Sequence, residues 1–498
     1  MSFYITTPIY YVNAAPHLGH AYTSIAADVL ARHHRVRGEE TFFLTGTDEH
    51  GEPVTLAAAA EGVSPQELVD RNAERFRALT GMLELSNDFF IRTTDAEHKR
   101  LVQEFLQRVH DNGHVYKGFY EGWYCPRCAD FKTESEITPP NRCPIHLIEL
   151  TREREETWFF RLSSFQERLE RLYAERPDFV MPAHAFNEAR SFIAQGLIDV
   201  SLSRASLSWG VTVPWQPDHV FYVWFDALLN YVTALGYARP GESLEHLWPA
   251  DLQVMGKDIS KFHAIYWPAL LMAGGLEPPR QLFVHGFLLG PDEAKMSKSR
   301  GNVLDPFAII ESHGADALRH YLFREVTFGQ DGAVSQEGFQ ARYDAELANE
   351  YGNLASRTLN MIERYAGGVV PAVPTEPALR AEFAGLFERI DELLSRAELS
   401  AALEEIWQHV RRLNRYVEEN APWALAKDPA RAEHLAAVLA TLAEGLRAVT
   451  VALLPYMPSK TVELLDALGA RERTERAFAA SGWGAGVSAL APLFPKSA

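Results

Sequence analysis

Two imidazoles three residues apart, at His17 and His20, enclose Leu18-Gly19 where an apolar N-terminal run gives way to helical spacing. Residues three apart on a helix share a face. A helix start also offers backbone N–H groups and a positive dipole end, and both favour phosphate. Gly19, lacking a Cβ, lets a flat ligand approach the backbone. By itself a His-x-x-His pattern equally fits a solvated surface or a packing contact. A second run, Lys295-Met296-Ser297-Lys298-Ser299, lies between Gly290-Pro291 and Gly301 and reads as a loop able to move. Lysines on such a loop can close over a polyphosphate and supply charge where it develops in a transition state. The chain holds ten lysines against 38 arginines, and Lys257, Lys261, Lys295 and Lys298 fall within 42 residues. Compact point charges are concentrated here in a chain that otherwise uses arginine.

The three cysteines form a third constellation. Cys125-Pro126-Arg127-Cys128 is followed, after fourteen residues, by Cys143-Pro144-Ile145-His146. Two such knuckles supply four ligands for tetrahedral zinc in a closed structural site, with no position spare for catalysis. The opening Met1-Ser2-Phe3-Tyr4-Ile5 lacks the basic start of a signal peptide, so an odd number of cysteines does not suggest disulfides.

These groups need a large scaffold. At 498 residues, 47% hydrophobic and 23% charged, the chain reads as a globular protein of about two to four domains. A net charge of −18 argues against nucleic-acid binding through a broad basic surface, so any RNA contact must be local. No uninterrupted apolar run approaches the roughly 20 residues of a membrane span. The expected location is the cytoplasm, away from membranes.

Phe3–Ile9 reads as a buried strand, and from His17 the positions Leu18, Tyr22, Ile25, Ala26 and Val29 keep helical spacing. A second apolar run, Thr41–Thr45, ends in Gly46-Thr47-Asp48-Glu49-His50-Gly51. Strand, loop, helix and strand open a doubly wound α/β domain, whose ligands sit at the carboxyl ends of the strands. His17 and Asp48 both fall at such ends. Residues from about 115 to 220 break the rhythm and contain no clean βαβ unit. The α/β pattern resumes near Phe221-Tyr222-Val223-Trp224-Phe225-Asp226-Ala227 and continues through Leu252–Gly256 and Gln281–Gly286. After about residue 345 the sequence turns to Ala, Leu, Glu and Arg. There Leu403, Ile406, Val410, Leu413 and Val417 mark one buried helical stripe ending before Pro422, and several such segments argue for a helical bundle.

His17-Leu18-Gly19-His20 with Lys295-Met296-Ser297-Lys298-Ser299 resembles the paired signature of class I aminoacyl-tRNA synthetases, with Leu18 where isoleucine is commonest. Only 274 residues separate His20 from Lys295, too few for the large editing insertion of the isoleucine, valine and leucine enzymes. The knuckle, Thr7–Asn13, Gly46–Gly51, Tyr222–Ala227 and Gly256-Lys257-Asp258-Ile259 resemble the methionine enzymes of that class, over nearly the whole chain.

The resemblance implies a Rossmann-type doubly wound parallel sheet split by a zinc-binding insertion, then an all-α anticodon-binding helix bundle. The expected divisions are residues 1–115 and 221–290 for the two halves of the nucleotide-binding domain. The insertion covers 116–220, with its knuckle at about 120–150; the lysine loop and stem-contact region covers 291–345, and the helical domain 346–498. It further implies that His17, His20, Lys295 and Lys298 stabilise the triphosphate of ATP·Mg²⁺, with Gly19, Gly256 and Asp258 also near the nucleotide. Asp48 would take the amino acid's ammonium. Ile9, Tyr11, Trp224, Ala227, Leu228, Tyr231, Ile259, Phe262 and His263 would enclose its side chain, a polarizable thioether suited to aromatic rings. Leu228 stands where proline is common, and Arg204 would face the substrate carboxylate or phosphate. Cys125, Cys128, Cys143 and His146 would hold one structural zinc ion. Asn353, Arg357 and Trp423 would read the anticodon of methionine tRNA by hydrogen bonding and stacking, with Arg411, Arg412 and Arg415 adding charge. Taken without the family, Trp224, Tyr231, Phe262 and Trp423 also fit ordinary core positions. The expected reaction joins L-methionine, ATP and tRNA on a monomer. The rival readings are another class I synthetase, a related nucleotidyltransferase, or a non-catalytic zinc-containing tRNA-binding protein.

Overall fold

The computed structural model describes residues 2–126, 130–132, 134, 136–145, 147–291 and 304–496. Its backbone divides into two compact units: residues 1–27, 39–81 and 86–285 make the first, and 28–38, 82–85 and 286–498 the second.

Six parallel strands build the main sheet of the first unit. Their order is Phe89–Arg92, Glu40–Asp48, Ser2–Tyr11, Leu252–Gly256, Leu282–His285, Val180–Met181. Chain order reverses between Ser2–Tyr11 and Leu252–Gly256, which pair through Ile5–Leu252 and Thr6–Gln253. The crevice at the carboxyl ends beside such a reversal is where doubly wound sheets hold ligands. Ser2–Tyr11 is buried continuously from Phe3 to Pro8, the pattern of a parallel strand covered on both faces. Gly46 is a steric requirement: a Cβ there would lie 2.0 Å from the Ile91 carbonyl oxygen of the neighbouring strand. The helix Leu18–Val36 follows the first strand and buries Leu18, Tyr22, Ile25, Ala26 and Val29, the predicted stripe.

Residues beyond 115 form a four-stranded antiparallel sheet ordered Asp130–Lys132, Val115–Cys125, Thr151–Phe160, Val200–Ser201. Its long ladder runs from Val115–Phe160 to Tyr124–Thr151, which carries Cys125 to the far end. There Cys125, Cys143 and Leu150 are buried together, with Trp123, Ile137 and Ile148 packed around them. The stretch read as lacking a βαβ unit nevertheless lends the parallel sheet its edge strand, Val180–Met181, beside Leu282–Phe283. Two residues are too few to show a period of two. Gln216–Phe221 pairs antiparallel with Ser203–Arg204 and Thr212–Val213, then passes at Tyr222 into the short helix Val223–Leu228.

In the second unit the helices Asn353–Ala366, Leu399–Asn420 and Ala432–Leu453 pack on one another. Leu403, Ile406, Val410, Leu413 and Val417 are fully buried on Leu399–Asn420. That helix stops before Pro422, which has no N–H to continue it. The segment Pro429–Leu453 is long and apolar enough to cross a membrane by length and composition, with mean hydropathy 1.6, yet 89% of its apolar window is buried inside the unit. Glu444 and Arg447 interrupt its apolar run and pair with each other at 2.6 Å. Arg447 also donates to the carbonyl oxygens of Arg473, Glu475 and Ala477, while Glu444 accepts from the Ala479 N–H. The pair is thus buried with its hydrogen bonds made, the condition under which buried charge is tolerated.

Candidate active site

The carboxyl end of Ser2–Tyr11 delivers the chain to His17, and the first turn of the following helix organises both imidazoles. The Gly19 N–H donates to His17 Nδ1 and the His17 N–H to His20 Nδ1, each at 3.1 Å. The rings stack with centroids 3.7 Å apart and 23° between planes. An Nδ1 that accepts a backbone N–H leaves the proton of the neutral ring on Nε2. Burial, followed by the neighbouring His17, holds the His20 imidazolium pKa well below its usual range, so His20 is a neutral Nε2–H donor. Gly19 makes the arrangement possible: a Cβ would stand 3.0 Å from His17 Cε1 and 3.1 Å from its Nδ1. Its missing side chain makes room for the His17 ring, a constraint the four-residue pattern does not display.

Asp48 ends the neighbouring strand, Glu40–Asp48. It is 2% exposed, and among the described residues its Oδ1 lacks a hydrogen bond of ordinary geometry. Burial, and then the negative charge of Asp226, push its pKa well above the ordinary carboxylate range, and the His50 backbone and the Tyr11 hydroxyl oppose that rise. A buried carboxylate with an open acceptor is a site for a cation of matching size. Next in the chain, Glu49 is already occupied by Arg92, which donates to both oxygens at 2.7 and 2.9 Å.

Trp224 and Phe262 lie face to face, centroids 3.7 Å apart and 9° between planes, and Tyr11 meets Trp224 edge-on at 6.3 Å. Ile9, Tyr11, Trp224 and Ile259 are partly buried against the same core that holds Leu228 and Tyr231, and Ala227 is buried beside Leu228 in the chain. His263 Nδ1 lies 3.0 Å from the Ile259 carbonyl oxygen and its Nε2 2.8 Å from the Tyr231 hydroxyl. The carbonyl can only accept, so Nδ1 carries the proton and Tyr231 donates to Nε2. Burial lowers the His263 pKa to about 4, which keeps the ring neutral. Gly256 ends the strand across the sheet reversal and leads into the turn Lys257–Ile259 with Asp258. In register with Gly256 is His285, whose Nε2 is 2.7 Å from Thr23 Oγ1 on the histidine-bearing helix.

Other sequence candidates fall differently. Arg204 is 3% exposed, with its Nε on Glu155 at 2.7 Å and its guanidinium 4.4 Å from the Tyr124 ring centroid. It lines a cavity of about 230 Å³ with Tyr222, Phe192, Lys261 and Tyr266. Cys125 and Cys143 are both 0% exposed, while Cys128 and His146 lie outside the described residues. Lys295 and Lys298 also lie outside them. In the second unit the Arg357 guanidinium is 5.8 Å from the ring centroid of Trp423, which is 40% exposed, and Asn353 is exposed at the start of its helix. Arg411 and Arg412 are paired, with Glu404 at 2.5 Å and with Glu382 at 2.5 Å.

Sequence reasoning assigned nothing to Asp226, His50 or His98, which the structure joins. Asp226 accepts from His50 Nδ1 at 2.6 Å and His98 Nε2 at 2.9 Å, and His98 Nδ1 is 2.7 Å from Thr233 Oγ1. Burial would raise the Asp226 pKa, but the two histidines outweigh it and draw it down to about 2. His50 and Asp226 stand inside quoted motifs; His98 sits on an unremarkable helix, Ala96–Asp111.

The sequence and fold are similar to those of known proteins. A family profile described as tRNA synthetases class I (M) matches residues 3–152 and 141–359. The methionine–tRNA ligase of Streptomyces coelicolor is 46% identical over 484 residues, covering 94% of this chain and 90% of its own. That of Caldanaerobacter subterraneus subsp. tengcongensis is 44% identical over 476 residues, covering 95% and 74%. The structure of Mycobacterium tuberculosis methionyl-tRNA synthetase in complex with methionyl-adenylate superposes with a TM-score of 0.94 at 41% identity, covering 99% of both chains. The apo form of that enzyme gives 0.87 at 39% identity, covering 100% of this chain and 98% of its own. On that family match, those identities and the shared fold, this chain belongs to the methionyl-tRNA synthetase family of class I tRNA synthetases.

Proposed function

We propose that the chain is a methionine–tRNA ligase acting as a cytoplasmic monomer on L-methionine, ATP and methionine tRNA. The observation that carries the reading is the buried Asp48 carboxylate at the carboxyl edge of the parallel sheet, whose Oδ1 lacks a hydrogen bond of ordinary geometry among the described residues. An α-ammonium group supplies the missing donors and the opposite charge. In this reading Ile9, Tyr11, Trp224, Ala227, Leu228, Tyr231, Ile259, Phe262 and His263 enclose the thioether, which packs on aromatic rings without a hydrogen bond.

A methionine carboxylate oxygen attacks the α-phosphorus of ATP; the bond to the bridging oxygen breaks and pyrophosphate leaves. A ribose hydroxyl of the tRNA's terminal adenosine then attacks the methionyl carbonyl and AMP departs. Such chemistry rests on positioning and charge stabilisation. His17 and His20 present their Nε2 edges to phosphate oxygens, and the lowered pKa of His20 keeps that ring an uncharged donor. Lys295 and Lys298 supply the positive charge, Gly19, Gly256 and Asp258 border the nucleotide, and Arg204 stands toward the substrate carboxylate or phosphate. Mg²⁺ travels with ATP and neutralises its phosphates.

Cys125 and Cys143 suit a structural zinc ion: two sulfur donors are buried in one small cluster, and Cys143 opens a turn closed by the Leu147 N–H on its carbonyl at 2.9 Å. With Cys128 and His146 they would complete a tetrahedral set that locks the knuckle of an insertion spanning 116–220. The halves of the nucleotide domain are then 1–115 and 221–290, the lysine loop and stem-contact region 291–345, and the anticodon-binding domain 346–498. In that last domain Asn353, Arg357 and Trp423 read the anticodon. Amino-acid-dependent ATP–pyrophosphate exchange across the twenty amino acids tests the reading. Methionine alone should support it, and any other winner refutes it.

A further inference from the structure

The Asp226 cluster goes beyond the roles assigned above. We infer that Asp226 is a positioning residue for the ammonium site, gripping His50 and His98 so that the chain leaving Asp48 is held and its carboxylate kept in place; this rests on the function just proposed. His50 ties the site to Asp226. Its ring Nδ1 donates to Asp226 Oδ2 at 2.6 Å, and its main chain follows two residues after Asp48, the last residue of Glu40–Asp48. Asp226 is carried on Val223–Leu228, between Trp224 and Leu228, so one short helix presents the aromatic wall and fixes the loop that holds the carboxylate. Its other oxygen takes the His98 Nε2–H from Ala96–Asp111, and His98 is in turn tied to Thr233 on Asn230–Thr233. His50, His98, Asp226 and Asp48 are each at most 3% exposed. Two histidines from separate segments satisfy both oxygens of Asp226, while the Asp48 Oδ1 lacks a hydrogen bond of ordinary geometry among the described residues.

A buried charge used only as core glue would be indifferent to its neighbour's task. Here the two carboxylates act on one another: Asp226 adds negative potential at Asp48, which draws in a cation and opposes ionisation of Asp48 until that cation arrives. The other titratable groups facing Asp48 are Glu49, held by Arg92, and His50, Tyr11 and Tyr231. Those facing Asp226 are His50, His98 and Asp48.

The test is methionine-dependent pyrophosphate exchange by the full chain as a function of pH. In Asp226→Asn the KM for methionine at pH 8 should rise about tenfold, the size of one lost charge-assisted contact, with the KM for ATP unchanged. The acid limb of kcat/KM for methionine should move to lower pH by about one unit once the repulsion is gone. His50→Asn places an amide N–H where Nδ1 was and should keep the KM near wild type, whereas His50→Ala should reproduce the Asp226→Asn rise. Loss of kcat in Asp226→Asn with KM and the acid limb unmoved would overturn the inference. So would a His50→Asn variant as impaired as His50→Ala, and this histidine pair decides the matter if Asp226→Asn does not fold. Absence of methionine-dependent exchange in the wild type sinks the proposed function instead, a result separate from any variant's behaviour.

Discussion

Replacing Asp48 by Asn should move stability and methionine binding in opposite directions. In the folded protein the Asp48 pKa is raised, first by burial and then by Asp226. The sign follows: a carboxylate whose folded pKa exceeds its unfolded value of about 3.9 leaves stability intact below that value. Stability is then lost as pH rises through the folded pKa. At pH 8 the unliganded wild type therefore bears the cost of an ionised or forcibly protonated buried acid, and its open Oδ1 gains nothing in return. Asn keeps the shape but carries no charge. The unliganded variant should melt about 2 °C higher than wild type at pH 8, and the two should converge near pH 4. Methionine binding loses a charge-assisted contact of about 3 kcal/mol, a weakening of roughly 100-fold. Differential scanning fluorimetry across pH, with calorimetric titration of methionine, reads both quantities. A variant less stable than wild type at pH 8, or one that binds methionine normally, refutes the reasoning.

Lys298→Ala should cut adenylate formation by about 100-fold or more while calorimetric methionine affinity holds. Gly19→Ala places a methyl group against the His17 ring. It should lower kcat for pyrophosphate exchange about tenfold, through loss of alignment, with methionine KM little changed. Cys125→Ser should release zinc measurable by elemental analysis and lower the melting temperature; a variant retaining one zinc per chain would contradict the ligand set. Trp423→Ala removes a 40% exposed ring stacked near Arg357. It should cost about 2 kcal/mol in kcat/KM for tRNA, leaving pyrophosphate exchange untouched.

Long elements with one dominant period were legible in the residues. The stripe Leu18 to Val29 and the stripe Leu403 to Val417 are buried as their spacing required. The two strand ends that carry His17 and Asp48 follow from apolar runs broken by polar loops. Short and long-range features were not legible. Val180–Met181 joins the parallel sheet with two residues, below any periodic signal. The bond from His98 to Asp226 spans 128 residues of sequence, and neither residue's local pattern hints at the other. Gly19 read as an approach for ligand, because the fold-back of His17 onto its own helix depends on a ring rotamer and not on spacing. Arg204 read as a substrate contact, and its buried pairing with Glu155, 49 residues away in sequence, is a feature that no local pattern announces.

The Glu444–Arg447 pair has a meaning outside the folded protein. Around it runs the one described segment apolar enough to be mistaken for a membrane anchor while the chain is being made. At the centre of a bilayer helix each charge costs about 2.5 to 3.5 kcal/mol on the translocon scale. Within the bundle the same charges meet one another and a ring of main-chain partners. Two residues near the middle of a hydrophobic core helix thus set its solvent of choice, making protein interior favourable and lipid unfavourable for an otherwise ambiguous segment.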